Sequence, residues 1–305
     1  MHTMAHTTAK PSLGIITIAT GKYYEQFIPN LKASVDAFFP TDTLDVTFYC
    51  FTDQVGSVEK VEHFPLQHFS WPFSTLLRYH WISQHLTQLS RHDFVLYLDA
   101  DMQVVSPIDA GLFTANLLAV KHPGFVAAPG AFELDRTART YVPPPLRKTY
   151  YQGCVWGGAR ESFARLITEL NGLVAADLAQ GLIPLWHDES YLNWYLASHP
   201  CTALPPNFAW PQGQAIEADL PPVILHLEKP HQQIRQMDQA PLEVIAILQG
   251  DNTADQLRLY QQLYLEAHEK TQRLEARLAK LHWSWERLRE SLAYYKARWQ
   301  NKSAR

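Results

Sequence analysis

Apolar and polar residues follow one another along the first hundred positions in a pattern that predicts strands separated by helices. A β-branched apolar run at residues 13–19 is followed by apolar positions at helical spacing as far as Phe38. Further apolar runs occupy residues 46–51 and 94–98, and the residues between Phe73 and about Leu89 have helical spacing. Strand, helix, strand, helix, strand is the order found in a parallel α/β sheet.

The chain beyond residue 250 has a different period. Apolar side chains recur there at alternating spacings of three and four residues from Leu257 to Trp299, and only Thr271 interrupts them. A period of 3.5 is typical of a coiled coil. No proline follows Pro241 and no glycine follows Gly250, which favours long helix.

These patterns predict a globular domain over residues 1–240 and a helical tail over residues 241–305. We expect the tail to join copies of the chain into a homo-oligomer, with packing of its helices back onto the globular domain as the alternative. Tyrosine and tryptophan at the apolar positions are bulky for a two-stranded coiled coil. The number of chains in the oligomer stays open.

Composition narrows the class of protein. Of 305 residues, 47% are hydrophobic and 18% charged, which is typical of a globular chain and excludes wholesale disorder. No run reaches the ~18 apolar residues of a membrane-spanning helix, and no signal peptide is recognisable. The three cysteines form no CxxC pair, which favours a reducing compartment. We therefore expect a cytoplasmic protein without a transmembrane segment or anchor.

Charge excludes one kind of partner and leaves another open. The net charge of −4 argues against a nucleic-acid-binding protein. The tail from Asp251 onward carries eleven basic and seven acidic residues, so the preceding chain is more acidic than the total. This basic tail could attract an anionic membrane surface, but its interleaved Glu and Gln favour a solvated helix face. A peripheral position at a membrane stays open.

Two acidic residues follow the third predicted strand directly. Ligands of open α/β sheets bind beyond the carboxyl ends of the strands, where Asp99 and Asp101 are expected. Hard oxygen ligands favour Mg²⁺ or Mn²⁺, which also bridge phosphates. An ordinary surface turn is the alternative interpretation. No GxGxxG motif follows the first strand and no P-loop motif occurs, which disfavours dehydrogenases and P-loop enzymes.

A dense polar cluster stands at the head of another predicted helix, in the order Trp186-His187-Asp188-Glu189-Ser190. Acidic residues and serine stabilise a helix N-terminus by themselves, so a purely structural role is one interpretation. The functional alternative is a carboxylate beside a bound electrophile, with Trp186 as an aromatic floor for a sugar. His187 has no HxxxH partner and is expected to orient a neighbour.

Eight short patterns follow one another along residues 13–235. They are Ile18-Ala-Thr-Gly-Lys-Tyr23, Phe51-Thr-Asp-Gln54, Ser74-Thr-Leu-Leu-Arg78, Asp99-Ala-Asp101, Lys121-His-Pro-Gly-Phe125, Tyr150-Tyr151 with Gly157-Gly158, Trp186-His-Asp-Glu-Ser190 with Leu192-Asn193 and Tyr195, and Lys229-Pro-His-Gln-Gln-Ile-Arg235. In this order they resemble glycosyltransferase family 6, which includes the blood-group A and B transferases and the α-1,3-galactosyltransferases. The chain is most similar in type to bacterial members.

The resemblance implies an A-type glycosyltransferase fold, with a Rossmann-like half that binds the nucleotide-sugar and a second half that binds the acceptor. The implied reaction moves galactose or N-acetylgalactosamine from a UDP-sugar to the 3-hydroxyl of a galactoside, with or without fucose, in α-1,3 linkage and with retention. The galactoside would belong to a glycan or glycolipid. Rival functions are a UDP-sugar hydrolase, a transferase for another hexose, and an oligomeric carbohydrate-binding scaffold without catalysis.

The resemblance also implies roles for individual residues. Glu189 would be the catalytic residue, either as a nucleophile or in a same-face mechanism, and Asp99 and Asp101 would hold Mn²⁺ or Mg²⁺. Donor contacts are implied for Ile18, Thr20, Tyr23, Arg78, Asp99, Ala100, Gln152, Gly153, Cys154, Asp188, Lys229 and Arg235. Acceptor contacts are implied for His122, Trp186 and Glu133.

Three positions depart from relatives in the family. The acidic Asp99-Ala-Asp101 pattern replaces the Asn-x-Asn of many bacterial members and implies that the ion is needed. Cys154 is larger than the usual Gly or Ala and would crowd an acetamido group, whereas Gln152 could hydrogen-bond that group, so the choice of donor sugar stays open. Glu133 stands where the blood-group enzymes carry an acceptor-side threonine.

Overall fold

The computed structural model describes residues 10–69, 72–180, 182–215 and 219–229. The predicted oligomerising tail, its coiled coil and the donor contact assigned to Arg235 lie outside the described residues and stay predictions. The boundary between the two expected domains lies there as well.

A seven-stranded sheet with the order β3-β2-β1-β4-β7-β6-β8 forms the centre of the described chain. Its strands are β1 (Ser12–Ile18), β2 (Asp45–Thr52), β3 (Val61–Pro65), β4 (Phe94–Leu98), β6 (Leu117–Lys121), β7 (Tyr151–Ala159) and β8 (Thr202–Leu204). Strands β3, β2, β1 and β4 are parallel. The sequence predicts β1, β2 and β4 in this arrangement and does not predict β3. Strand β7 runs antiparallel to both β4 and β6, so the sheet is mixed rather than wholly parallel.

Helices cover the sheet and bury its apolar residues. They are α1 (Lys22–Phe38), α2 (Phe73–Leu76), α3 (Arg78–Ser83), α4 (Leu86–Leu89), α5 (Arg160–Leu178) and α6 (His187–Ser198). In α1 the buried side chains of Phe27, Leu31 and Val35 recur at helical spacing and pack against the sheet. Strand β1 is buried on both faces, which explains its continuous apolar run.

The helical stretch expected between Phe73 and about Leu89 is divided into three short helices, α2, α3 and α4. The helical conformation breaks at Leu77, with ψ near 1°, and again at His85, with φ near −116°. The first break lets α3 start at Arg78, whose side chain is buried and reaches the carbonyl oxygen of Gly153. The spacing of apolar residues alone does not show these breaks, because the helices on both sides of each break contribute buried residues.

A second, three-stranded sheet lies beside the carboxyl end of β4. It has the order β5-β10-β9, formed by β5 (Met102–Val104), β10 (Ile224–His226) and β9 (Trp210–Pro211). The backbone N–H of Leu227 donates to the carbonyl oxygen of Asp101 at 2.9 Å. This sheet therefore brings the chain near residue 229 next to the acidic residues that follow β4. Within the described residues, no helix is long and apolar enough to cross a lipid bilayer.

Candidate active site

Two adjoining cavities open where the central parallel strands end. The first has a volume of about 320 Å³ and lies over the ends of β1 and β4; the second has a volume of about 730 Å³ and lies against β7 and the start of α6. Both are lined by Thr75, Arg78, Asp99 and Lys229. A ligand that fills the first cavity can thus extend into the second past the same four side chains.

The turn between β1 and α1 shapes the first cavity. Gly21 has a φ of 54°, in the left-handed region that a residue with a side chain rarely adopts. Its backbone N–H donates to the carboxylate of Asp53 at 2.8 Å, which ties the end of β1 to the residue after β2. Ile18, Thr20 and Tyr23 line this cavity, as the resemblance implies for them.

Arg78 joins the walls of the two cavities. Its Nη1 donates to the carbonyl oxygen of Gly153 at 2.8 Å and lies 3.1 Å from the carboxylate of Asp188, while Nη2 lies 3.3 Å from that of Asp99. The guanidinium also stacks over the ring of Tyr97, 4.7 Å from its centroid. A planar fork of donors suits this geometry, because one group must serve three acceptors in different directions.

Glu189 projects from the first turn of α6 into the second cavity, and both its carboxylate oxygens have partners. Oε1 accepts a hydrogen bond from the hydroxyl of Tyr150 at 2.8 Å, and Oε2 accepts one from the backbone N–H of Gly153 at 2.8 Å. Burial raises the pKa of Glu189 to about 7, and burial raises the pKa of Asp188 to about 6. A cation or a positively charged sugar bound beside them would favour their ionised forms.

Asn193 attaches the start of α6 to strand β7. Its side-chain oxygen accepts from the backbone N–H of Tyr151 at 2.8 Å, and its Nδ2 donates to the carbonyl oxygens of Tyr151 and Glu189. Gly153, two residues along β7, faces the two carboxylates: a Cβ there would come within 3.3 Å of Asp188 Oδ2. A side chain at residue 153 would therefore press against the carboxylate of Asp188 and lie in van der Waals contact with Glu189.

Asp101 is buried beside one lysine and one histidine. It is 2% exposed, forms an ion pair with Lys229, and lies 3.4 Å from Nε2 of His226. Nδ1 of the same imidazole lies 3.2 Å from Nε2 of Gln152. Burial by itself would raise the pKa of Asp101, but the hydrogen bond from His226 and the charge of Lys229 outweigh it and lower the pKa well below its usual range.

The donor set at Asp99 and Asp101 fits a divalent cation that also binds a phosphorylated ligand. The two carboxylates line the same cavity and offer the hard oxygen atoms that Mg²⁺ and Mn²⁺ prefer. Among the described residues, no group of three or more His, Cys, Asp and Glu side chains is placed to hold a metal ion. The remaining ligands would therefore be phosphate and water oxygens, which is usual for such ions at phosphate sites.

The structure brings most of the residues implied for the site together. Around the first cavity lie Ile18, Thr20, Tyr23, Arg78, Asp99, Ala100, Asp101 and Lys229, and around the second lie Gln152, Gly153, Cys154, Trp186, Asp188 and Glu189. His122 and Glu133 line neither cavity. The Nδ1 atom of His122 accepts from the N–H of Gly124 at 3.0 Å, and its ring lies 5.9 Å from that of Tyr150.

Glu133 is engaged in holding two loops together. One carboxylate oxygen accepts from the backbone N–H groups of Leu134 and Asp135, and the other accepts from the N–H of Leu185 at 3.0 Å. An acceptor contact through this side chain would have to compete with these three backbone bonds. Glu133 is connected to the second cavity through its bond to Leu185, because the next residue, Trp186, lines that cavity.

Sequence reasoning assigned no role to three side chains that complete the site. Tyr150 holds Glu189, His226 links Gln152 to Asp101, and Asp53 holds the β1–α1 turn. The available signal for His226 was its place three residues before Lys229, and for Asp53 its place directly after β2. Tyr150 stood in one of the eight patterns, but nothing in the sequence showed that its hydroxyl reaches α6.

The fold and the site together define an α/β protein with a ligand cleft at the carboxyl ends of its strands and buried carboxylates within that cleft. The model of glycosyltransferase family 6 matches residues 2–236, so the chain belongs to this family. The resemblance on which the sequence interpretation rests is confirmed, and the mixed, mostly parallel sheet fits the A-type fold.

Curated relatives have moderate identity to the chain. It is 30% identical over 208 residues to the O-antigen biosynthesis glycosyltransferase WbnI of Escherichia coli, covering 66% of this chain and 88% of that protein. It is 28% identical to the human globoside alpha-1,3-N-acetylgalactosaminyltransferase 1, covering 65% of this chain and 61% of that one. For the histo-blood group ABO system transferase 2 of Rattus norvegicus the identity is 27%, with 65% and 63% covered. The aligned region thus spans about three fifths of these two animal relatives.

Proposed function

We propose that the protein transfers galactose or N-acetylgalactosamine from a UDP-sugar to the 3-hydroxyl of a galactoside, in α-1,3 linkage and with retention of configuration. The observation that carries the proposal is the position of Glu189 and Asp188 in the second cavity, directly past the Arg78 and Asp99 side chains that both cavities share. A nucleotide in the first cavity would place its sugar beside these carboxylates. The names of the human and rat relatives, an α-1,3-N-acetylgalactosaminyltransferase and a blood-group transferase, support the same reaction class.

The first cavity is suited to the nucleoside diphosphate. Ile18, Thr20 and Tyr23 line it, and so do Arg78 and Lys229, which also line the second cavity. The Nζ atom of Lys229 lies 5.5 Å from the centroid of the Tyr23 ring. A divalent ion held by Asp99 and Asp101 would neutralise the diphosphate as it leaves. The leaving group gains negative charge in the transition state, so cations placed there stabilise the transition state more than the bound donor. The prediction that Arg235 adds a further cation is unchanged.

The second cavity is suited to the reacting sugar. Tyr150 and the N–H of Gly153 fix both oxygens of Glu189, which orients the carboxylate toward the cavity. In this position Glu189 either attacks the anomeric carbon or stabilises the positive charge that develops there while the acceptor enters on the same face. Asp188, held by Arg78, would accept hydrogen bonds from donor-sugar hydroxyls.

The acceptor would enter from the outer side of the second cavity. Trp186 lines this cavity and is 47% exposed, so one face of its indole is available to a sugar ring. His122 lies behind Tyr150 and Glu133 holds the Trp186 loop, so both would act on the acceptor from the edge of this subsite.

Acceptor-dependent release of UDP from UDP-galactose and UDP-N-acetylgalactosamine tests the proposal. Equal release with and without a galactoside would favour the rival hydrolase, and no release from either donor would favour the non-catalytic scaffold or another hexose.

Removal of divalent metal should abolish transfer. Because Asp99 and Asp101 line the diphosphate end of the cleft together, we expect EDTA to stop turnover and Mn²⁺ to restore it, with Mg²⁺ as the weaker substitute. Initial rates in a metal titration after dialysis measure this. Full activity in EDTA would mean that the two aspartates do not act through a metal ion.

Replacement of Tyr150 by phenylalanine should move the pH profile. The Tyr150 hydroxyl donates to the carboxylate of Glu189 and lowers its pKa against the effect of burial. Without it the pKa rises above about 7, so the rise of kcat/KM with pH, which follows ionisation of Glu189, should shift to higher pH. The control is Tyr141→Phe, whose ring lies under Arg147. An unshifted profile for Tyr150→Phe would show that this hydroxyl does not set the ionisation of Glu189.

Replacement of Cys154 by alanine should change the choice of donor. Cys154 is 1% exposed and lies on β7 beneath the second cavity, so loss of its sulfur enlarges the floor under the sugar. We expect the ratio of kcat/KM for UDP-N-acetylgalactosamine to that for UDP-galactose to rise about tenfold, the effect of one small group in a binding pocket. Cys50→Ala, equally buried in β2, is the control and should leave the ratio unchanged. An unchanged ratio in Cys154→Ala would exclude residue 154 from donor selection.

A further inference from the structure

Exposed large apolar side chains are concentrated on one side of the cleft. Among the described residues seven such side chains are exposed, and six of them lie in only two segments, residues 126–148 and 182–186. The six are Val126, Leu134, Leu146, Leu182, Leu185 and Trp186. The seventh, Val55, lies between β2 and β3, far away in the strand order of the sheet. Single exposed apolar side chains are ordinary, but six gathered in two segments indicate an interaction surface.

Polar contacts hold these two segments side by side. The carboxylate of Glu133 accepts from the backbone N–H of Leu185 at 3.0 Å. Farther along, Arg139 forms an ion pair with Asp177 at 2.8 Å, and the backbone carbonyl of Asp177 accepts from the N–H of Leu182 at 2.9 Å. These contacts bring the two segments together, and we call the exposed apolar and charged side chains of residues 126–148 and 182–186 the loop surface.

The loop surface is also basic, in contrast to the chain as a whole. Four cations lie between residues 126 and 148, namely Arg136, Arg139, Arg147 and Lys148, against the two acidic residues Glu133 and Asp135. Both acidic side chains accept hydrogen bonds within their own loop, Glu133 from backbone N–H groups and Asp135 from Thr137. Segment 182–186 carries no charge. Because Asp177 also pairs with Arg139, the four cations exceed their acidic neighbours by one. Exposed leucines and a small excess of cations thus coincide on a protein whose net charge is −4.

We propose that the loop surface docks the protein on an anionic lipid bilayer. The exposed leucines and the indole of Trp186 would enter the boundary between headgroups and acyl chains, where such side chains are favoured. The basic side chains would lie at the level of the anionic headgroups, which attract them over about one Debye length. A bilayer fits better than a protein partner of acidic surface, because the apolar side chains stand on loops between cations and form no continuous groove.

Docking in this orientation brings the cleft to the membrane. Trp186 belongs to the loop surface and also lines the second cavity. If the proposed function holds, the acceptor class that this arrangement serves is a galactoside carried on a lipid, presented at the bilayer surface to the side of the cleft that contains Glu189. The membrane contact itself does not depend on the proposed reaction.

Co-sedimentation of the full chain with vesicles tests the proposal. We expect binding to phosphatidylcholine vesicles that contain phosphatidylglycerol, weak binding to phosphatidylcholine alone, and weaker binding at high salt. The double variant Leu134→Ser, Leu185→Ser should lower the partition coefficient about tenfold or more, because it removes apolar area from the contact. Arg136→Gln with Lys148→Gln should lower it by a similar factor on anionic vesicles only. The matched control is Val55→Ser, which removes an even more exposed apolar side chain elsewhere.

The outcomes separate this proposal from the reaction. Wild-type levels of vesicle binding in the leucine variant would overturn it and would assign any membrane affinity to another part of the chain. Equal binding to neutral and anionic vesicles would overturn the role of the cations. Transfer to a small water-soluble galactoside, measured with the same variants, should be unchanged, so a failure of the proposed reaction would appear there and not in the vesicle assay.

Discussion

Replacement of Glu189 by glutamine should lower the transfer rate about a thousandfold while UDP still binds. The variant keeps the shape of the side chain: its one amide oxygen can still accept from the N–H of Gly153, and its NH₂ group can donate to the hydroxyl of Tyr150. It has no negative charge to offer the anomeric carbon. A thousandfold loss corresponds to about 4 kcal/mol of transition-state stabilisation. Steady-state kinetics with saturating donor give the rate, and calorimetric titration with UDP and Mn²⁺ gives the affinity.

The matched control for this variant is Glu161→Gln. Glu161 lies in the first turn of α5, as Glu189 lies in the first turn of α6, but its side chain is exposed. The Glu161→Gln variant should retain full activity. Both variants change one carboxylate near a helix N-terminus, but only the carboxylate of Glu189 faces the cleft. Near-normal transfer by Glu189→Gln would remove Glu189 from the chemical step. Loss of UDP binding in the same variant would instead indicate a damaged fold.

Replacement of Arg78 by lysine should destabilise the protein and weaken donor binding together. The guanidinium is buried and serves Gly153, Asp99 and Asp188 at once, and one ammonium group cannot reach all three acceptors. We expect the free energy of unfolding to fall by about 3 kcal/mol, the usual effect of leaving buried charges poorly paired. The KM for the donor should rise about tenfold or more, because the carboxylates lining the cleft lose their common partner.

Arg91→Lys is the control for the chemical change from arginine to lysine. Arg91 pairs with Glu62, and both side chains are half exposed, so the free energy of unfolding should change by less than about 0.5 kcal/mol. Denaturant titration and donor kinetics on both variants measure the difference. If Arg78→Lys were as stable as Arg91→Lys and bound donor normally, the buried arginine would not be the common support of the site.

Much of the site could be predicted because its residues lie directly after the end of a strand or at the start of a helix. Asp99 and Asp101 come after β4, and Glu189 comes at the start of α6, so their local patterns indicated both the element and its end. Three strands of the parallel half of the sheet, β1, β2 and β4, were predictable for a similar reason, since each contains a buried apolar run. Strand β3 was not predicted, because polar residues interrupt it and it is partly exposed. These are local properties, and a short stretch of sequence contains them in full.

The parts that could not be predicted depend on contacts between distant residues. Strand β7 runs antiparallel to its neighbours β4 and β6, and this pairing sets which of its residues face the carboxylates. Nothing in the sequence of β7 shows in which direction the strand runs. The hydroxyl of Tyr150 and the imidazole of His226 reach their partners 39 and 74 positions away. Glu133 was assigned to the acceptor, yet the structure engages both its oxygens with backbone N–H groups of two loops. Sequence shows that such side chains are present but not which group they meet.

The chemical structure of the product shows directly which bond the protein makes. UDP-galactose and UDP-N-acetylgalactosamine are each incubated with galactosides that do or do not carry 2-linked fucose, and the products are examined by NMR. We expect one donor sugar to be joined to the 3-hydroxyl of the terminal galactose with α configuration at its anomeric centre, the retained stereochemistry. A β linkage, or attachment at another hydroxyl, would contradict it.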